Sequence, residues 1–140
     1  MINTKIYKSV YTLAEKLMEA DKHDDQAAFE RLYSELKLLC IDNENTPKDH
    51  PEQWETLADF TEDLKEALVV YEKALGKAIA INSKDHMSSI AFSMASLQIE
   101  LGQTESAIES LKSAQTSANK IEDKDLKKEI DTLLKTVLGT

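Results

Sequence analysis

An internal echo at a period of about forty residues constrains this chain more than any other feature. The segment Glu66-Ala67-Leu68-Val69-Val70-Tyr71-Glu72-Lys73-Ala74-Leu75 has a partner in Ser106-Ala107-Ile108-Glu109-Ser110-Leu111-Lys112-Ser113-Ala114. Small, large and small apolar residues recur at 67, 71 and 74 and again at 107, 111 and 114, with a fainter copy at Ala28 and Leu32. Leu17, Leu57 and Leu97 keep the same step. A repeat of this length is one helical hairpin, whose apolar face is buried only when hairpins stack. At 140 residues the chain is expected to form a single domain of about three such hairpins, over 4–41, 51–82 and 86–121, closed by a helix over 123–138.

Periodicity and stop signals place seven helices. Ile6, Val10, Leu13, Ala14 and Leu17 lie on one face of the first, residues 4–20. Asp24 or Asp25 is positioned to cap the second, 26–41, with Ala28, Phe29, Leu32, Leu36, Leu39 and Cys40 as its stripe. The stretch 42–51 holds both prolines and several side chains that compete for backbone hydrogen bonds, so it reads as a linker. Pro51 suits the first turn of the third helix, which carries Trp54, Leu57, Ala58 and Phe60. The fourth covers 64–81. The fifth covers 86–101, with His86 expected at its cap and Gly102 just past its end. Thr104 is expected to cap the sixth, 105–121, and Asp123 or Lys124 opens the seventh. No alternating run predicts a strand, so the expected class is all-α.

Charge narrows the function. The formal net charge is −9, and residues 21–66 hold all of it, with 14 acidic and 5 basic side chains. Clustered Lys and Arg, which phosphate neutralisation requires, are missing from the pattern, and this argues against nucleic acid and against anionic membranes. A basic protein partner suits the surface better. Met1–Val10 lacks the apolar run of a signal peptide, and no stretch approaches the length of a spanning helix, which leads to a cytoplasmic expectation. The single Cys40, flanked by Leu38, Leu39 and Ile41, reads as a buried thiol.

The spacing of Ala107, Leu111 and Ala114, with Leu101-Gly102 at the preceding turn and Met94-Ala95 before it, resembles the tetratricopeptide repeat family. The likeness is densest over 88–121. Residues 54–75 share only the second helix, with Trp54 at the early large position and Glu62 where the family has its turn glycine. The resemblance implies antiparallel hairpins stacked in a right-handed superhelix, with residues 123–138 as a cap. It also implies a concave groove that binds a peptide or protein segment. Carried over by position, the groove would be lined by Ser89, Phe92, Ser96, Ile99 and Glu100, and one repeat earlier by Asp49, Glu52, Thr56, Asp59 and Phe60. Such a groove is partly acidic and lacks the basic clamp that holds a terminal carboxylate in some members, so a segment bearing Lys or Arg beside an apolar anchor would complement it.

Catalytic constellations are sparse. His23-Asp24-Asp25 and Asp49-His50 would serve a metal only if their two loops met, and the simpler reading is capped, solvated turns. Ser88, Ser89, Ser93 and Ser96 have no base placed near them by sequence, and the adjacent carboxylates Asp24/Asp25 and Glu62/Asp63 do not face each other. The expectation is a non-enzymatic interaction module without a cofactor or metal. A cytosolic chaperone for an exported protein and a homo-oligomeric structural protein, such as a homodimer through Val10, Tyr7 and Tyr11, stand as alternatives. Met18, Met87 and Met94 are expected in the core.

Overall fold

A computed structural model describes residues 4–139, with side chains from residue 7 onward. Ile6, expected on the inner face of the first helix, lies outside the described side chains. Among the described residues there are seven α-helices and no strand: α1 (Thr4–Lys22), α2 (Gln26–Asn43), α3 (Pro51–Asp59), α4 (Leu64–Ala80), α5 (Lys84–Glu100), α6 (Thr104–Ala118) and α7 (Lys124–Leu138). The all-α expectation is met. None of these helices is long and apolar enough to cross a membrane.

The chain divides into two compact units, residues 1–70 and 71–140, and the division falls within α4. In the first unit α1, α2 and α3 each pack against the other two. Val10, Leu17, Leu32, Leu36, Cys40, Trp54 and Leu57 are buried there. In the second unit α6 packs against both α5 and α7. Its core joins Ala91 and Ala95 of α5, Leu111, Ala114 and Ala118 of α6, the following Ile121, and Ile130 and Leu134 of α7. Alanines let the helix backbones approach closely, and Leu111 fills the space between them.

The repeat positions are buried along two copies: Ala67, Tyr71, Ala74 and Ala78 on α4, and Ala107, Leu111, Ala114 and Ala118 on α6. The first copy slips. On α2 the buried residues are Phe29, Leu32, Leu36 and Cys40, while Ala28 is only half-buried. The steps there run three, four, four, against four, three, four in the other copies. A phenyl ring therefore stands near the place where the other copies carry a methyl group.

The helix boundaries show which polar residues won the caps. Asp25 caps α2 by accepting the N–H of Ala28 at 3.1 Å. His86 does not cap α5. The helix begins two residues sooner, at Lys84, because the Ser83 hydroxyl lies at 3.5 Å from the N–H of His86 and takes the cap position. Thr104 is likewise the first helical residue of α6; Gln103 holds its cap position without a side-chain bond. That helix ends at Ala118, sooner than expected, and Asp123 caps α7. Left-handed backbone closes the turns at Asp24, Asn82 and Gly102, residue types that tolerate it.

The 44–50 segment is a bonded turn. The Asn45 N–H donates to Asp49 Oδ2 at 2.8 Å, and the Trp54 indole N–H donates to Asp49 Oδ1 at 2.8 Å. Gln53, 1% exposed, accepts the His50 N–H at 2.6 Å and donates to the Lys48 carbonyl at 3.1 Å. Its own carbonyl accepts the Cys40 thiol at 3.4 Å, which accounts for the buried cysteine. Of the three methionines expected in the core, Met94 is buried and Met87 half-buried, but Met18 is 59% exposed, because it points off the flank of α1.

Candidate binding site

The first unit carries a cavity of about 400 Å³ between α2 and the α3–α4 turn. Its construction begins with the α2 cap. Asp25 starts the helix at Gln26, which puts Phe29 in the opening turn and Tyr33 one turn later. Across from them α3 stops at Asp59, and Phe60 closes it with its N–H turned back to the Thr56 and Leu57 carbonyls. The rings of Phe29 and Phe60 meet edge to face, with centroids 6.4 Å apart and planes at 61°. Such a pairing sets the positive edge of one ring against the negative face of the other.

Two straps hold α2 to the turn. The Thr61 hydroxyl donates to the Leu57 carbonyl at 2.8 Å, so at its 2.7 Å contact with Tyr33 it is the phenol that donates. The Gln26 amide donates to Glu62 at 3.3 Å. Asp63 in turn caps α4 by accepting the Glu66 N–H at 2.9 Å. The aromatic walls thus have fixed positions, and Glu30, Ser34, Glu62, Asp63 and Glu66 complete the lining.

A neighbouring cavity of about 290 Å³, the second lobe of the site, has Phe29, Phe60, Thr61 and Glu62 in common with the first as wall residues and adds Met18, Asp21 and Asp59. Over both lobes six carboxylates surround the aromatic residues, and no Lys, Arg or His joins them. This selectivity is local. A third cavity of about 520 Å³ between α1 and α2 mixes Lys16 and Arg31 with Glu19, Asp25 and Glu35, and largely neutralises itself.

The residues expected to line a groove are distributed as follows. Asp59 and Phe60 enter the second lobe. Glu52 is half-buried in the first turn of α3, and Asp49 stands in the bonded turn before it. Thr56 is buried, and its hydroxyl donates to the Glu52 carbonyl at 2.7 Å. The other five lie on α5, in the second unit. There Phe92 is half-buried and packs on the α5–α6–α7 core, and the Ser96 hydroxyl donates to the Phe92 carbonyl at 3.2 Å. Ser89 is half-buried, and Ile99 and Glu100 are exposed at the end of the helix.

The two histidine turns carry local bonds. His23 reaches back to Glu19 at 2.7 Å. His50 accepts the N–H of Glu52 on Nδ1 at 3.1 Å and so serves as the cap of α3. Of the lining residues, Phe29 was expected only in the apolar stripe of α2 and Glu62 and Asp63 only as carboxylates that do not face each other, while Tyr33, Thr61, Glu30 and Glu66 carried no site expectation. The one signal that pointed to them is the weakness of the repeat around Ala28, where Phe29 takes the buried position. No family model, no curated protein and no solved structure matches this chain.

Proposed function

We propose that this chain is a non-catalytic interaction module of tetratricopeptide-like design that binds a basic segment of a protein partner. The observation that carries the reading is the pair of adjoining cavities, walled by Phe29, Tyr33 and Phe60, whose charged lining residues are all carboxylates. A Lys or Arg side chain lays its aliphatic stem on the rings and its cationic head among the carboxylates. Cation–π contact adds about 0.5–2 kcal/mol depending on how far water is excluded. The hydroxyls of Tyr33 and Thr61 are engaged in the hydrogen bonds that brace the cavity, so neither is set up as a nucleophile. The Cys40 thiol is buried, which is compatible with a reducing compartment and so with a cytoplasmic role.

Fluorescence anisotropy with a labelled lysine- and arginine-rich peptide tests this. Glu30, Glu62 and Glu66 are all exposed, so replacing them with Lys leaves the core untouched. The triple variant gives up the Gln26–Glu62 bond but should keep its helicity by circular dichroism and lose affinity by about a hundredfold, the scale of roughly 1 kcal/mol for each reversed charge. Equal binding by variant and wild type sinks the assignment.

A further inference from the structure

We infer that the cavity is one end of a longer track, and that its occupant is an amphipathic helix of a partner protein with Lys or Arg in its end turn. This rests on the proposed function and specifies the partner. On α1, Tyr7, Tyr11 and Met18 are 43%, 57% and 59% exposed. They stand at i, i+4 and i+11, with half-buried Ala14 at i+7, and so form one stripe along the helix. Val10 and Leu17 are buried in the same helix, which shows that this stripe lies beside the core-facing side and apart from it. From Tyr7 to Met18 it extends about 16 Å at 1.5 Å per residue.

Two observations decide the occupant. First, Met18 belongs to the lining of the second lobe, beside Phe60, so the apolar stripe runs directly into the acidic cavity. Asp21 and Asp59 stand at that junction. A segment that lies on the stripe and ends in the cavity must be apolar along one side and basic at one end. Second, the stripe belongs to a helix, whose backbone donors and acceptors are spent within it. It offers no ladder to an extended strand, so a helix, which satisfies its own backbone bonds while laying an apolar face on the stripe, is the better-matched occupant. About three turns of partner helix match the length. Tyr rings give rigid amphipathic contact and Met an adaptable one.

The test uses the full chain and three labelled probes. One is a short lysine–glycine peptide. Another is a helical peptide with a leucine stripe ending in lysines. The last has the same composition with the stripe scrambled. The striped helix should bind about tenfold more tightly than the scrambled one and gain helicity by circular dichroism on binding. Tyr7→Ser combined with Tyr11→Ser should erase that preference and leave the short peptide's affinity unchanged. Tyr7→Ser alone provides a second variant should the pair disturb the fold. Failure of the short peptide to bind defeats the proposed function. Binding of the short peptide with no preference between the striped and scrambled helices overturns the present inference alone. So does a dimer in sedimentation that Tyr11→Ser disperses, since a second copy of the chain would then be the occupant.

Discussion

Gln53 shows how a polar side chain can organise a small helical unit. It is almost wholly buried, yet both ends of its amide are used, on the His50 N–H and the Lys48 carbonyl. Substitution by Leu would preserve volume but leave that donor and acceptor unpaired, so Gln53→Leu should cost about 2 kcal/mol, read as a lower urea midpoint at constant slope. Composition could not reveal this. A run such as Asn43-Glu44-Asn45-Thr46-Pro47 looks like any polar linker, and its rigidity comes from partners at Asp49 and Gln53 that only the fold brings near. Asp59 and Phe60 were legible because the repeat placed them at the end of a first helix. Glu62 and Asp63 read only as neighbouring carboxylates that do not face each other, and Tyr33 as nothing in particular, because a hydroxyl's partner across 28 residues leaves no trace in local pattern.

At the scale of elements, helix existence followed from 3.6-residue periodicity, and nearly every miss falls at a terminus. Ser83 and His86 competed for one cap, and a hydroxyl's short reach decided it. The interior surprises are Met18, exposed on α1, and α2, where a shift of one residue exchanged Ala28 for Phe29 at the buried position. Periodicity tolerates such a shift, since 28 and 29 both border the apolar stripe; packing against α1 and α3 selects one. In the second unit the Ala-Leu-Ala pattern of α6 is buried from both sides by α5 and α7. Leu111→Ala should therefore cost about 3 kcal/mol, within the range for a core leucine left as a cavity. Thermal or denaturant unfolding of the variant measures it, and a cost below about 1 kcal/mol would mean that the neighbouring helices collapse onto the gap.

For the molecule as a whole, charge is divided as unevenly as structure. Residues 1–70 carry 16 acidic and 8 basic side chains, a net of −8, while residues 71–140 carry 10 and 9, a net of −1. Association with a basic partner should accordingly be steered by the first unit. The on-rate is expected to fall by at least about tenfold as ionic strength rises from 0.01 to 1 M, as the screening length shrinks from roughly 30 to 3 Å. Stopped-flow mixing at several salt concentrations checks this, and a flat profile would show that the apolar stripe governs encounter. The chain has one tryptophan, and Trp54 sits buried in that same first unit with its indole N–H on Asp49. Indole emission is consequently a built-in optical reporter of a site in residues 1–70, while far-ultraviolet dichroism records helices throughout. Following both signals through one melt reveals, without any label, whether the two halves of the chain come apart together or in turn.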